Sequence, residues 1–305
     1  MQLSDEFIHR ISGAFGQPGR QWLADLPVLV AEYAARWSLI VHAPFEPLSY
    51  NFAAPATRTD GRRVVLKAGV PRPDLLGEIE ALRVYAGRAS VLLLEADADR
   101  CVMLLERVEP GTTLKVEPDD ARATEIAALV MQVLWRPLPD GGHRFLPVTA
   151  WSDGFARLRR RFGGTTGPLP AAQIEMAERL FDELFRTAAP AVLLHGDLHH
   201  ENILAGERER WLAIDPMGVA GEPAYEVGAL LRNPVPEVAS WPDLERIQSR
   251  RVYQLSEILG FDRQRIAAYG VAQAILSAVW TLEDHDEVDE VALACADALR
   301  PLLAD

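Results

Sequence analysis

The sequence has few cysteines, a deficit of basic side chains and no long apolar run among its 305 residues. Two cysteines, Cys101 and Cys295, are too few for a disulfide framework or a four-thiolate zinc site. The 31 basic side chains against 44 acidic ones give a formal net charge of −13, which repels the phosphate backbone of nucleic acid. We therefore expect no nucleic-acid partner, and a surface that tolerates or attracts cations.

Targeting features are scarce as well. The N-terminal stretch MQLSDEFIHR has acidic residues where a signal peptide would carry basic ones, and no apolar run reaches the length of a membrane span. These absences predict a cytoplasmic protein without a membrane partner, which we expect to be a monomer or a weak homodimer. We expect two lobes, because a chain of this length is too long to fold around one small hydrophobic core.

The order of predicted elements divides the chain into a β-rich part and a helical part. Apolar residues at helical spacing predict a helix over residues 3–37, and residues 38–70 have a β texture with a hairpin at Asp60-Gly61. One helix and two short strands follow, and most of the chain after EPGTTL has helical patterns. We predict an α+β protein with lobes at 1–108, including the helical extension 1–37, and 109–305.

The stretch LLHGDLHHENILAG concentrates polar side chains between apolar flanks. Zinc could in principle be bound by His195, His199, His200 and Glu201. The two histidines that lie four residues apart would share one face only in a helix, and Gly196 with the strand-like AVLL before it disfavours a helix. A zinc-hydrolase site is therefore the minor alternative.

Three side chains favour phosphoryl transfer instead. Asp197 is followed by Asn202 and later by Asp215, at the end of a predicted hairpin strand. Phosphoryl transfer needs a carboxylate near the acceptor hydroxyl and oxygen ligands that hold Mg²⁺ on the nucleotide phosphates. The spacing resembles H-x-D-x-x-x-x-N and the later metal-binding aspartate of the protein-kinase-like fold, with His195 in the first place.

The upstream part of the chain supplies the partners that this fold requires. VVLKAGV places Lys67 on a strand, and the next helix offers Glu78, with Glu80 as the second choice, to orient the lysine. In isolation, such a lysine is more often a solvated edge residue and such a glutamate one half of an exposed pair. Their order relative to the later loop favours the kinase interpretation.

The resemblance extends to the expected nucleotide pocket. In MLLERVEPG it implies that the backbone of Glu106 and Val108 meets the adenine edge and that Leu105 lines the pocket. No G-x-G-x-x-G loop precedes the strand lysine, and D-F-G and A-P-E are absent, which disfavours a protein kinase. The first hairpin instead offers three residues to cover the phosphates, namely Ser49, Tyr50 and Asn51.

LLHGDLHHENIL and AIDPMGVAGEPAYEVGALLRNP resemble the aminoglycoside phosphotransferase superfamily, and the second stretch resembles its streptomycin and hydroxyurea kinase branch. The likeness covers most of residues 37–235, although members of the branch usually carry lysine where Met217 stands. It implies a two-lobed fold that transfers the ATP γ-phosphoryl group to a hydroxyl. The resemblance also implies that Asp197 accepts the hydroxyl proton and that Asn202 and Asp215 hold Mg²⁺.

The acceptor is less defined by the sequence. A streptomycin-like acceptor carries guanidinium groups, which pair with carboxylates. Candidates are Glu222 and, within the EDHDEVDE cluster, Asp284 and Asp286. Sugars, amino alcohols and hydroxyurea are alternative acceptors, and a nucleotide-binding module without turnover is a second class. We expect His195 to brace the loop, and His199 and His200 to face water.

Overall fold

A computed structural model of the chain describes residues 3–304. The strands are β1 Leu39–Val41, β2 Asn51–Arg58, β3 Arg63–Gly69, β4 Leu93–Asp97, β5 Val102–Glu106, β6 Pro110–Thr113, β7 Leu146–Pro147, β8 Val192–Leu194, β9 Ile203–Gly206, β10 Trp211–Ala213 and β11 Val219–Gly221. The α-helices are α1 Asp5–Arg36, α2 Pro73–Tyr85, α3 Asp120–Leu134, α4 Asp153–Arg161, α5 Ala171–Arg186, α6 Val227–Leu231, α7 Leu244–Leu259, α8 Arg263–His285 and α9 Glu290–Leu299.

The first five strands form one antiparallel sheet in the order β1-β2-β3-β5-β4. The hairpin predicted at Asp60-Gly61 is confirmed, and Gly61 takes the positive φ of 85° that the turn requires. Alternate residues of β2 are buried, as expected for a strand with one face on a core. In the sheet, Lys67 pairs with Ala53 on one side and Met103 on the other, which places it on a central strand.

The N-terminal helix differs from the prediction because it is broken. Gly16 has φ 56° and ψ −131°, and Pro18 opens the second half with a ring suited to a first helical turn. A Cβ at Gly19 would lie 2.5 Å from the Ile11 carbonyl oxygen, so the two halves pack in direct backbone contact. We call Asp5 to Phe15 the N-terminal arm, since the break sends it in a different direction from the rest of α1.

The remainder of the chain is mainly helical and has α8 at its centre. Of the helices in residues 3–304, α8 alone is long and apolar enough by length and composition to cross a membrane. In its most apolar window 78% of residues are buried inside the protein. Packing against the surrounding helices therefore accounts for its apolar character.

Two small sheets fix the functional loops. One has the order β10-β9-β6, and the other has the order β7-β11-β8. The strand β6 lies where the sequence predicted only a break in the pattern, and it pairs with β9 because the segment after β5 crosses to the second hairpin. The loop between β8 and β9 and the residues after β10 are thereby brought together under the first sheet.

Candidate active site

Residues 195–202, here called the HGD loop, connect β8 to β9 and are held by a buried glutamate. The Glu226 carboxylate accepts the backbone N–H groups of His195 and Gly196, both at 2.8 Å. The His195 Nε2–H donates to the Ile214 carbonyl oxygen at 2.8 Å, and burial lowers the pKa of His195 to about 4. This imidazole is neutral near pH 7 and braces the loop, as expected.

The Asp197 carboxylate is held from both sides. Its Oδ1 accepts a hydrogen bond from Arg232 Nη2 at 2.8 Å, and its Oδ2 lies 3.5 Å from His199 Nε2. Burial opposes ionisation, but His199 and Arg232 outweigh it and hold the pKa of Asp197 well below its usual range. Sequence reasoning missed Arg232, although it stands in the GALLRNP stretch that carries the family resemblance.

Asn202 and Asp215 lie next to each other across the β9–β10 hairpin. Asn202 Nδ2 donates to the Asp197 carbonyl oxygen at 2.9 Å, so Oδ1 is left for another partner. The Ile214 N–H donates to the Asn202 carbonyl oxygen at 2.9 Å, which places Asp215 beside this loop. Asp215 has φ 58°, and its side chain is 45% exposed. An amide oxygen and an open carboxylate are ligands that fit Mg²⁺.

Lys67 connects the first sheet to this hairpin through two ion pairs. Its Nζ lies 2.7 Å from Glu78 Oε1 and 3.0 Å from Asp215 Oδ1. The Lys67 and Glu78 side chains are only 4% and 6% exposed. Burial disfavours the ammonium, but the two carboxylates outweigh it and raise the pKa of Lys67 above its ordinary value. Glu80 instead lies 3.9 Å from Arg144, so Glu78 is the glutamate that meets the lysine.

A cavity of about 440 Å³ lies between the first sheet and the β9–β10 hairpin. It contains the predicted Leu105, Glu106 and Val108, and its walls include three apolar residues that were not predicted, namely Phe45, Leu204 and Ile214. The Glu106 carboxylate accepts the Leu92 N–H at 2.8 Å and pairs with Arg208, and the Glu106 N–H donates to the Leu92 carbonyl oxygen at 2.9 Å. The backbone carbonyl is therefore the Glu106 group left for a ligand. We call this space the apolar cavity.

A second cavity of about 610 Å³ contains the predicted polar groups, and we call it the polar cavity. Asp197, Asn202 and Met217 line it together with residues of α1 and the end of α8. Five residues line both cavities, namely Ser49, Asn51, Lys67, Glu201 and Asp215. The two cavities therefore meet at the Lys67–Asp215 ion pair.

Two predicted substrate residues lie away from the polar cavity and are corrected here. The Glu222 carboxylate is buried, accepting the Ala189 N–H at 2.8 Å and pairing with Arg265 Nε at 2.7 Å. The Asp286 carboxylate, which is exposed, pairs with Arg161 at the turn after α8. Both carboxylates are thus neutralised within the protein, and only Asp284 of the cluster lines the cavity.

The expectations for Tyr50 and for the later histidines also need correction. Tyr50 was predicted beside the nucleotide, but it lines the polar cavity and its Oη lies 3.5 Å from His285 Nε2. Ser49 and Asn51 on either side line both cavities, whereas Tyr50 does not line the apolar one. His199 faces Asp197 and Asn202, and His200 is buried with Arg251 Nη2 at 3.5 Å, so neither simply faces water.

These placements also weaken the zinc interpretation. His195, His199 and His200 turn toward different partners, a backbone carbonyl, the Asp197 carboxylate and Arg251. In residues 3–304 no group of three or more histidine, cysteine, aspartate or glutamate side chains is placed so that it could hold a metal ion. The pair Asn202 and Asp215 suits a different case, a metal that is also bound by phosphate oxygens and water.

A family model described as aminoglycoside/hydroxyurea antibiotic resistance kinase matches residues 48–285. The chain belongs to this family. It is 34% identical over 299 residues to streptomycin 6-kinase of Streptomyces glaucescens, with 94% of this chain and 93% of the relative covered. It is 33% identical over 299 residues to hydroxyurea phosphotransferase of Kitasatospora aureofaciens, with 93% and 82% covered.

Solved structures bear on the fold of this family member. The choline kinase LicA from Streptococcus pneumoniae superposes with a TM-score of 0.64 at 14% identity, covering 92% of this chain and 99% of that one. A thermostable aminoglycoside phosphotransferase mutant with ADP and hygromycin B has a TM-score of 0.60 at 15% identity, covering 90% and 97%. The predicted protein-kinase-like fold, family and phosphotransferase class are confirmed. The lobe boundary at 108, the cytoplasmic location and the monomer or weak dimer stay predictions.

Proposed function

We propose that the protein transfers the γ-phosphoryl group of ATP to a hydroxyl of an aminoglycoside or aminocyclitol, with streptomycin as the favoured acceptor. The observation that carries this proposal is the meeting of two cavities at Lys67 and Asp215. An apolar cavity suits adenine, and the adjoining polar cavity suits a hydroxylated acceptor. Phosphoryl transfer needs donor and acceptor to approach in line across such a boundary.

On the donor side, the adenine ring would lie between the first sheet and the β9–β10 hairpin. The backbone of Glu106 and Val108 would meet its edge, and Leu105 would lie beside it. Lys67 would hold phosphate oxygens, with Glu78 keeping the ammonium charged and in place. Ser49 and Asn51 line both cavities and would cover the phosphates where other kinases use a glycine-rich loop.

Asn202 and Asp215 are the residues that would hold Mg²⁺. Both line the polar cavity, and both present oxygen atoms. A bound Mg²⁺ would neutralise charge on the phosphate oxygens during transfer. Lys67 keeps one Asp215 oxygen in place at 3.0 Å, and the Asn202 amide is oriented by its bond to the Asp197 carbonyl oxygen.

On the acceptor side, Asp197 would orient the hydroxyl and accept its proton as the oxygen–phosphorus bond forms. Its depressed pKa keeps the carboxylate ionised across the physiological range, and its 34% exposed side chain is open to the polar cavity. Arg232 contacts Oδ1 and His199 lies near Oδ2, so the two side chains fix the orientation of the carboxylate. The Met217 side chain supplies an apolar contact in the same cavity.

Streptomycin is favoured over hydroxyurea because the polar cavity is large. Its volume of about 610 Å³ lies in the range of sites for drug-sized ligands. Hydroxyurea is a small neutral molecule and would leave most of that space to water. The intact set of Lys67, Asp197, Asn202 and Asp215 supports turnover rather than a binding module without chemistry.

The test is ADP release by the purified chain with ATP and Mg²⁺ against a panel of acceptors. The panel contains streptomycin, other aminoglycosides, hydroxyurea, sugars and amino alcohols. Mass spectrometry of the acceptor should show one added phosphoryl group on streptomycin. Turnover of hydroxyurea or a sugar alone would contradict the proposed acceptor, and ATP binding without any turnover would contradict the proposed reaction.

A further inference from the structure

The N-terminal arm forms a wall of the polar cavity, although the family model begins only at residue 48. Ala14 and Phe15 line that cavity together with residues of the HGD loop. Phe7 and Ile11, which precede Phe15 on the same face of the helix, are fully buried in the core of the first sheet, with the Phe7 and Trp22 rings 6.4 Å apart, and Phe15 is partly buried against that core. The arm is therefore anchored along the face whose last turn borders the polar cavity.

Aromatic contacts fix the part of the arm that reaches the cavity. The Phe15 and Tyr50 rings meet edge to face with centroids 6.2 Å apart. The Arg72 guanidinium lies 5.1 Å from the Phe15 centroid and donates to Asn51 Oδ1 at 3.0 Å. The arm is thus connected to the segment that would cover the phosphates, and Phe15 and Tyr50 form one aromatic surface.

The charges that line the polar cavity are almost all paired within the protein. Its acidic side chains and their partners are Glu78 and Asp215 with Lys67, Asp197 with Arg232, Glu201 with Lys115, and Asp74 with Arg72. Asp284 is the exception, since no lysine or arginine in residues 3–304 comes within 4.0 Å of it. Its neighbours Glu283 and Asp286 pair with Arg157 and Arg161.

We propose that Asp284, Phe15 and Tyr50 form a subsite for a guanidinium or ammonium group of the acceptor. This inference rests on the proposed function and deepens it, because it names the part of the acceptor that the arm recognises. A carboxylate without a partner attracts a cation, and aromatic faces stabilise the same charge. The three residues line the same cavity as Asp197, so an acceptor whose cationic group is held by the subsite would have its hydroxyls in the space that Asp197 borders.

The first experiment is calorimetry of streptomycin binding to the full chain and to Asp284→Asn, with Asp286→Asn as the matched control. Losing a charge-assisted pair should weaken binding about tenfold to a hundredfold in D284N. D286N should bind like the unchanged chain because its carboxylate faces Arg161. Equal affinity of all three proteins, or no streptomycin binding by the unchanged chain, would overturn the subsite.

A second pair of variants separates the arm from general effects on folding. Phe15→Leu removes an aromatic ring from the polar cavity, and Phe45→Leu removes one from the apolar cavity. We expect F15L to weaken streptomycin binding about threefold to tenfold and to leave ATP binding unchanged. We expect F45L to weaken ATP binding and to leave streptomycin binding unchanged. A loss of ATP binding by F15L with streptomycin binding intact would contradict the assignment.

Binding and turnover distinguish the subsite from the proposed reaction. If the unchanged chain binds streptomycin and the D284N and F15L effects appear, the subsite stands even when no phosphoryl group is transferred. In that case only the proposed function fails. If streptomycin is phosphorylated but D284N has the KM of the unchanged chain, the reaction stands and the subsite is wrong.

Discussion

The apolar and polar cavities share five residues, but they are assembled in different ways. The apolar cavity is built from strand ends and short connections between Phe45 and Asp215. The polar cavity adds parts from both ends of the chain, from Ala14 to Asp284. The proposed chemistry would therefore lie at a boundary made by short motifs, whereas the proposed acceptor recognition would depend on contacts between segments that are far apart in sequence.

The largest effect should come from removing the Asp197 carboxylate, which lines the polar cavity and not the apolar one. Asp197→Asn keeps the size of the side chain but cannot accept the acceptor proton, so kcat should fall by about 10²- to 10⁴-fold. ATP binding should remain, because Asp197 does not line the apolar cavity. Steady-state kinetics with nucleotide titration checks both statements, and a kcat within about twofold of the unchanged enzyme would exclude general base catalysis by Asp197.

The boundary itself can be tested with two glutamates of α2. Glu78→Gln removes a partner of the buried Lys67 and should lower kcat/KM for ATP about tenfold to a hundredfold. Glu80→Gln is the matched control, since Glu80 only approaches Arg144 at 3.9 Å. Initial rates at varied ATP give the comparison. Equal losses in the two variants would mean that helix stability, rather than the ion pair, is responsible.

How far the sequence predicts these parts depends on whether a motif marks them. Asp197, Asn202 and Asp215 were predicted from the spacing of one motif, and Lys67 from its place upstream of that motif in the protein-kinase-like resemblance, although its contact with Asp215 joins distant parts of the chain. Arg232 was missed because its contact with Asp197 spans 35 positions and no local pattern indicates it. Long-range packing decided these cases.

The same limit explains the errors. Glu222 was predicted to bind a cation of the acceptor because it follows Asp215 in the same loop. In the structure its carboxylate is buried, because Arg265 of α8 pairs with it. The arm was predicted as part of one helix over residues 3–37, since no periodic pattern shows the direction that a chain takes after a glycine such as Gly16. Local pattern predicted the elements, and their relative placement came from tertiary packing.

A smaller effect is expected from a variant that changes the apolar cavity alone. Ile214→Ala shortens a side chain that lines only the apolar cavity and should raise KM for ATP about fivefold to tenfold. KM for the acceptor should be unchanged, because the backbone contacts of Ile214 with His195 and Asn202 remain. Two-substrate kinetics provides the test. An equal rise in both KM values would show that the β9–β10 hairpin had moved as a whole.

The smallest effect concerns the pH dependence of the reaction, which should reflect the charge of Asp197 in the polar cavity. Arg232 and His199 hold the pKa of Asp197 below its usual range, so the unchanged enzyme should keep an ionised base in mildly acidic solution. Arg232→Gln removes the guanidinium beside the carboxylate, and the pKa of Asp197 should rise toward the ordinary value. A base with a raised pKa is protonated at higher pH, so the acid limb of kcat/KM for the acceptor should move upward. Because His199 remains 3.5 Å from Asp197, we expect the acid limb to shift by about one pH unit. Rate profiles of both proteins against pH give the comparison. Coincident acid limbs would mean that Arg232 does not lower the pKa of Asp197.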